Sequence, residues 1–480
     1  MAGGLVVLLL ALAGRYGPHR DELYFVAAGQ HPAWGYPDQP ALTPLIAAAT
    51  QWIAPRSVWA LHVPPALTAG LLCLVAAATA RELGGRAWAQ TLTAYATATG
   101  ATFLVVGHEL STTSLDVLAW GLLVWLALRS LRTGHARDWL LLGFVAGVAL
   151  ENKTLVVALL AALALASAAL PETRRRLASP WPWAAVGVAF LLWAPNLVWQ
   201  ARHGWPQLHL VADVNGEYGG PGERIAFVVF TVIAVTPTAV LLWGRGLADS
   251  WRRPSHPAAR LMALTYALLF AVFLVSGGKG YYLAGLYPPL LAAGAVALER
   301  RHAQGGARAT RWVALLALGV LPVLPALVPL LPQEVYARSF FPPINEDQRE
   351  MIGWPRLVGD VAAVRDTLAP GQRAQVVILT SNYGEAGAIA WYGPSHGLPA
   401  PYSGHNGYAL WGPPSGAGPV ITVGTSDAQT RFASALDGCR PARVVRTGAD
   451  NAEDGAVISV CTGPRGGWQA AWPRLVHLSA

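Results

Sequence analysis

A chain of 480 residues that is 54% apolar and only 12% charged is too greasy for a soluble domain of its length and reads as a polytopic membrane protein. The net charge of +8 would suit nucleic acid in a soluble protein, but the arginines fall between apolar runs, where anionic headgroups account for them. A soluble nucleotide-driven motor is set aside, because no Gly-rich phosphate loop with a following Lys-Ser/Thr occurs and no Cys/His spacing resembles a zinc site.

The first apolar run, residues 2–15, offers only about 20 Å of helix against roughly 30 Å of hydrocarbon. It has neither the basic start nor the small-residue cleavage site of a removed signal peptide. The loop behind it, residues 15–56, carries Arg20-Asp21-Glu22-Leu23-Tyr24-Phe25 and Gly35-Tyr36-Pro37-Asp38-Gln39-Pro40. Carboxylates at a membrane surface are costly to hold and are usually functional. Asp21 is therefore the expected catalytic base, with Glu22 beside it. A plainer reading makes the pair a cap on an interfacial helix over 21–30. The two are compatible, since one carboxylate can cap while the other points inward. Leu42 to Ala47 is apolar on one side and too short to span, so it predicts a second interfacial helix.

Hydropathy predicts about eleven spans: 2–15, 57–80, 87–107, 112–130, 138–151, 153–171, 182–200, 224–244, 258–276, 281–299 and 311–331. Alternate loops carry Arg81 and Arg86; Arg129, Arg132 and Arg137; Arg174, Arg175 and Arg176; Arg245, Arg252, Arg253 and Arg260; and Arg300, Arg301, Arg308 and Arg311. These belong on the cytoplasmic side. The opposite loops are poor in basic residues and hold Asp21, Glu22, Asp38, Glu109, Glu151, Asp213 and Glu217, so the chemistry is expected to face outward. The expected organisation is a transmembrane domain over 1–332 and an extracytoplasmic α/β domain over 333–480.

His108-Glu109 lies in the second outer loop, and Asp116 falls inside the apolar run that follows. A carboxylate there needs a partner or a task; the plainer reading is a hydrogen bond to Ser/Thr of a neighbouring turn. These three are the second-loop carboxylate or metal candidates. Glu151-Asn152-Lys153-Thr154 interrupts two apolar runs and reads equally well as a polar hairpin. Lys279, in Gly277-Gly278-Lys279-Gly280-Tyr281-Tyr282, either snorkels or holds a lipid phosphate. The Trp199-Gln200-Ala201-Arg202-His203-Gly204-Trp205-Pro206 stretch is an interfacial aromatic belt whose Arg202 and His203 are within reach of a headgroup or sugar. In the tail, short β-rich runs at Ala374 to Thr380, Val420 to Gly424, Val444 to Arg446 and Val457 to Cys461 alternate with helix-like ones at Glu385 to Tyr392 and Ala428 to Leu436. Pro, Gly and aromatics crowd Tyr392 to Pro414, as in an ordered loop packed on something. Cys439 and Cys461, isolated in an exported tail, are expected to pair.

The Asp-Glu of the first outer loop, the His203-Gly204-Trp205-Pro206 segment and the Lys279-Gly280-Tyr281-Tyr282-Leu283-Ala284-Gly285-Leu286-Tyr287-Pro288 segment resemble bacterial members of the protein O-mannosyltransferase-like, family-39-type glycosyltransferases, whose relatives include the aminoarabinose transferases of lipid A. The tail segments Asn382-Tyr383-Gly384-Glu385 and Ser403-Gly404-His405-Asn406 are similar to tails of one actinobacterial-looking branch. The resemblance implies a GT-C fold, mostly α, and inverting transfer of a sugar from a polyprenyl-phosphate donor to an acceptor hydroxyl of protein, lipid or glycan at the outer face of the plasma membrane. Carried over, it makes Asp21-Glu22 the first-loop acidic motif, Glu109 or Asp116 the second-loop carboxylate, and Lys279 or Lys153 the phosphate-binding lysine, with Arg202 a further phosphate candidate. Tyr24, Asp38, His203, Tyr281 and Tyr282 are the substrate-contacting candidates. The sequence demands no cofactor and leaves room for a divalent metal. Three rival readings stand beside this one, of which a structural scaffold for an envelope complex bears on the tail alone. A lipid-linked-sugar flippase would line a midplane path with charge, whereas here the carboxylates sit at helix ends on one face. An oligosaccharide ligase differs in its donor.

Overall fold

The computed structural model describes residues 1–211, 219–252, 257–302 and 309–479. Asp213, Glu217, Arg253 and Arg308, used above to orient loops, lie outside the described residues. The chain is mostly helical and divides into two compact units. One comprises Met1–Ala11, Gln39–Thr43 and His62–Val328, and the other Leu12–Asp38, Pro44–Leu61 and Pro329–Ala480. Most of the first outer loop thus clusters with the tail.

In the first unit, helices stand at each of the expected apolar runs, but length and composition separate them. Among the described residues five are long and apolar enough to cross a membrane: Val58–Glu82, Thr112–Thr133, Pro180–Arg202, Pro257–Ser276 and Gly280–Arg301. A sixth is counted if the pair Val156–Ala169 and Pro171–Leu177, bent by 114°, is one span. The other expected runs hold shorter or divided helices, and helix breakers are the reason. The run 87–107 is split by Thr99-Gly100 into Ala87–Ala98 and Ala101–Val106, and the run 224–244 ends one helix at Ile233 and begins the next at Val240. Backbone groups freed inside an apolar medium must find partners, and the two breaks supply each other. Ala101 N donates to the Val235 carbonyl at 2.7 Å, and Thr102 N and Oγ1 donate to the Ala234 carbonyl at 2.9 and 2.6 Å.

Small residues bring helices close where the side chains themselves give no hydrophobic advantage in lipid. Gly143 and Gly147, one turn apart on Ala136–Leu150, lie against Ala185, Ala189 and Leu192 of Pro180–Arg202, and a Cβ at Gly143 would run into the Ala185 carbonyl. Gly285 lets the 3-10 turn Gly280–Leu286 press against Trp120, which is fully buried in Thr112–Thr133. Immediately after the turn, the Tyr287 hydroxyl donates to the Thr231 carbonyl at 2.9 Å. The aromatic loop 279–282 is thereby fixed relative to the helix that carries Asp116.

The second unit begins with the helix Arg20–Gln30, close to the predicted 21–30, and includes most of Leu42–Ile53, which runs past the predicted 42–47. The tail folds around a five-stranded sheet. Its strands are β1 (Val377–Thr380), β2 (Pro401–Ser403), β3 (Val420–Gly424), β5 (Arg440–Val444) and β6 (Val457–Cys461), in the order β2-β1-β3-β6-β5. β1 pairs parallel to both β2 and β3, and β6 pairs antiparallel to β3 and β5. A separate two-stranded ribbon joins β4 (Leu436–Asp437) and β7 (Gly463–Pro464). Apolarity revealed β1, β3 and β6, which are buried or nearly so. It misplaced β5, expected at 444–446, because that edge strand reads Arg-Pro-Ala-Arg-Val and is exposed along its length. An edge strand belongs through its ladder rather than through burial. β2 hides in the aromatic and Pro-rich stretch, which is ordered.

Cys439 and Cys461 form a disulfide across a sequence separation of 22, while Cys73 is free and buried in its helix. Closing a loop of that size stabilises a fold by about 3 kcal/mol through the unfolded chain. A Cys439→Ser, Cys461→Ser double variant of the full-length protein is expected to lose about that much stability in urea titration while keeping its activity. An unchanged urea midpoint would contradict this.

Candidate active site

The N-terminus of Arg20–Gln30 separates the roles of its two carboxylates. Glu22 Oε2 accepts the His19 backbone N–H at 2.9 Å, and His19 Nδ1 accepts the Asp21 N–H at 3.2 Å. This is a reciprocal cap that satisfies orphan donors of the first turn. Glu22 is fully buried in that role, as in the capping reading of the pair. Asp21 is only partly buried. Its Oδ1 accepts the Tyr383 hydroxyl at 2.8 Å, and among the described residues Oδ2 accepts no hydrogen bond. Arg20 lies 3.5 Å from Glu350, with its guanidinium 5.1 Å from the Tyr383 ring centroid.

Asp38, the third carboxylate of the loop, is in the same unit. Its Oδ1 accepts the Tyr24 hydroxyl at 2.9 Å and its Oδ2 accepts Asn406 Nδ2 at 3.2 Å. Burial pushes its pKa up to about 6 against the lowering effect of those hydrogen bonds. The Tyr24 hydroxyl also accepts the Gly407 N–H at 3.1 Å. Burial, and then Asp38, hold the Tyr24 phenol far above its ordinary range, and burial, and then Asp21, do the same for Tyr383. Both hydroxyls therefore remain donors. Asn406 adopts a φ of 46°, a left-handed conformation that asparagine tolerates, and its side chain is held by Ser479 as well as by Asp38.

In the first unit, the hairpin around Lys153 is anchored by buried Asn152. Its Oδ1 accepts the Thr43 hydroxyl at 2.7 Å and its Nδ2 donates to the Thr112 carbonyl at 2.8 Å. Lys153 Nζ donates to Thr113 Oγ1 at 3.1 Å and sits 5.1 and 5.7 Å from the ring centroids of Tyr281 and Tyr282. Asp116 and Lys279 are its charged neighbours. The two lysines offered as alternatives by sequence thus belong to one group, together with both tyrosines and Asp116. Asp116 is buried, with the Lys153 charge and the Trp120 side chain as its polar neighbours.

The remaining candidates fall elsewhere. His108 faces His62, ring centroids 4.8 Å apart, and burial with that neighbour holds it well below the usual imidazole range. Glu109 is buried beside it in the chain. Among the described residues no group of three or more His, Cys, Asp or Glu is placed to hold a metal ion, so His108, Glu109 and Asp116 do not converge as ligands. Arg202 and His203 are exposed at the end of Pro180–Arg202, His203 stacked on Trp199 at 4.0 Å, and neither joins the lysine group. Sequence reasoning assigned no role in the site to Tyr383, His405 or Asn406. The signals for them are the resemblance of the segments Asn382-Tyr383-Gly384-Glu385 and Ser403-Gly404-His405-Asn406 to tails of one branch and, for His405 and Asn406, the Pro, Gly and aromatic crowding of 392–414.

Residues 38–199 match the family model described as dolichyl-phosphate-mannose-protein mannosyltransferase. Among solved structures, the chain is similar to ArnT from Cupriavidus metallidurans bound to undecaprenyl phosphate, with a TM-score of 0.61 and 15% identity over 96% of each chain. ArnT of the same organism in the apo state gives a TM-score of 0.61 and 15% identity, over 96% of this chain and 98% of that one. The oligosaccharyltransferase AglB from Archaeoglobus fulgidus, in complex with an inhibitory peptide and a dolichol-phosphate, matches with a TM-score of 0.45 and 13% identity over 83% of this chain and 64% of its own. No curated protein sequence matches the chain. The fold is a GT-C-type helical bundle with a small α/β domain at the C-terminus.

Proposed function

We propose that this chain, a membrane glycosyltransferase of the protein-mannosyltransferase-like, aminoarabinose-transferase-like type, moves a sugar from a polyprenyl-phosphate-linked donor to an acceptor hydroxyl at the outer face of the plasma membrane, with inversion at the anomeric carbon. The observation that carries the donor class is the lysine group. Lys153 has both Lys279 and Asp116 as charged neighbours, and two aromatic faces line the place. Like charges so placed repel, and a phosphate oxygen relieves the repulsion through charge-assisted hydrogen bonds. That the ArnT of similar fold is bound to undecaprenyl phosphate supports the same lipid class here.

In the reaction, the acceptor oxygen attacks the anomeric carbon as its proton passes to Asp21 Oδ2. The bond from that carbon to the phosphate oxygen breaks, and its electron pair stays on the phosphate, which gains a negative charge. Lys153 and Lys279 stabilise that charge. A single base suffices for inversion, so Glu22 is left to shape the helix end that presents Asp21. The arginine-rich loops and the disulfide of the tail support an outward-facing reaction.

Membranes containing the full-length protein, incubated with radiolabelled undecaprenyl-phosphate-linked mannose, arabinose, aminoarabinose and galactose, are expected to move label from one of them into a protein, lipid or glycan fraction. Transport of intact labelled lipid across vesicles without transfer would instead establish a flippase. Transfer from an oligosaccharide-diphosphate lipid alone would establish a ligase.

A further inference from the structure

We propose that Tyr383, contributed by the C-terminal tail, is a positioning residue for sugar transfer: its hydroxyl fixes one oxygen of Asp21 so that the other receives the acceptor proton. The inference rests on the reading of Asp21 as the base. An aspartate in the first turn of a helix turns easily about its terminal torsion, and a base that is out of place by about 1 Å loses on the order of 10²-fold in rate. In this chain the turn is stopped by the hydrogen bond to Tyr383, which occupies Oδ1 at 2.8 Å and, among the described residues, leaves Oδ2 open.

Tyr383 is itself held from several sides, as a positioning residue must be. It begins the helix Tyr383–Tyr392, whose cap Asn382 accepts the Glu385 N–H at 2.9 Å. Glu385 Oε2 in turn accepts Ser381 N, Ser381 Oγ and Asn382 N at 2.8, 2.9 and 3.2 Å. The Tyr383 ring lies between Tyr24 and His405, each with its ring centroid 4.7 Å away and nearly parallel, and His405 stacks on His477 at 4.7 Å. The Tyr383 N–H donates to His405 Nδ1 at 3.3 Å, so the imidazole carries its proton on Nε2, which faces Ser479 Oγ at 2.8 Å. Burial, and then His477, drop the His405 pKa to about 3, so His405 stays neutral wherever histidine ordinarily titrates. Among the described residues the Tyr383 hydroxyl makes its hydrogen bond to Asp21 alone. On this account the α/β tail completes the catalytic apparatus rather than merely decorating it.

The test uses the full-length protein in lipid nanodiscs, with the undecaprenyl-phosphate-linked sugar that the panel above identifies as donor. Tyr383→Phe keeps the stacked ring and removes the hydroxyl. It is expected to lower kcat about tenfold to hundredfold, with donor KM and Tm unchanged. Tyr408→Phe, which removes a hydroxyl that has no hydrogen-bond partner among the described residues, is expected to keep full turnover. If Tyr383→Phe folds poorly, 3,5-difluorotyrosine at 383 changes only the donor strength of the hydroxyl and is expected to alter kcat without altering Tm. A wild-type kcat in both Tyr383 variants beside an inactive Asp21→Asn protein would overturn the positioning role and leave the base intact. So would a loss of kcat that only follows a loss of Tm. Full turnover in Asp21→Asn would overturn the base itself, and the role of Tyr383 with it.

Discussion

Asp21→Asn is expected to leave the protein folded, inserted and able to bind its donor, while turnover falls about 10²–10⁴-fold, the usual contribution of a positioned general base. The geometry makes this substitution unusually clean. The helix end is capped by His19 and Glu22, not by the Asp21 side chain, so an amide at position 21 costs the fold little. The amide oxygen still accepts from Tyr383, but the side chain no longer takes a proton. The opposite pattern is expected at position 22. Glu22→Ala removes the acceptor of the His19 N–H and leaves a buried donor unpaired, at a cost of about 1–3 kcal/mol, whereas Glu22→Gln retains an acceptor and loses less. Turnover and Tm measured on the same purified variants check both statements. An Asp21→Asn protein that loses stability but keeps its turnover would return Asp21 to a structural role.

The second large effect is expected at Lys153. Removing a charge-assisted contact to phosphate weakens binding by about 1.5–3 kcal/mol. Lys153→Met should therefore raise donor KM roughly tenfold to hundredfold and leave acceptor KM unchanged. The side chain also offsets the buried charge of Asp116, so the companion variant Lys153→Met with Asp116→Asn is needed to keep the bundle stable. Lys279→Ala should shift donor KM in the same direction but less, because Lys153 carries the hydrogen bond to Thr113 and the two ring contacts. Initial rates over a range of donor concentrations decide the matter. Unchanged donor dependence in both lysine variants would remove the phosphate site from this group.

Much of the frame was legible because burial in lipid demands long apolar runs, and these stand out in any window. What hydropathy blurs is their continuity. Ala101 and Thr102 donate to the Val235 and Ala234 carbonyls, so the two broken helices repair each other across more than a hundred residues, and averaging over a window joins what the backbone separates. The first-loop carboxylates announced themselves through their cost at a membrane surface. Which of the two caps depends on the direction His19 and Glu22 face, and a residue order does not encode that alone. The lysine question had the same form: Lys153 and Lys279 were rivals along the chain and are neighbours in space. The least legible contact is Tyr383 to Asp21, separated by 362 positions. Periodicity is blind to such a pairing, and the resemblance of Asn382-Tyr383-Gly384-Glu385 to related tails singles out the segment without naming its partner.

The central claim is that one carboxylate, Asp21, drives a single inverting displacement on a lipid-phosphate sugar. The most direct measurement of it is the anomeric configuration of the new glycosidic bond, read by NMR on product made by the purified full-length protein from the undecaprenyl-phosphate-linked donor it accepts, with Asp21→Asn run alongside. The account predicts a product inverted relative to the donor and a rate in Asp21→Asn lower by about 10²–10⁴-fold. A product of retained configuration, or transfer at the full rate without the Asp21 carboxylate, would contradict it.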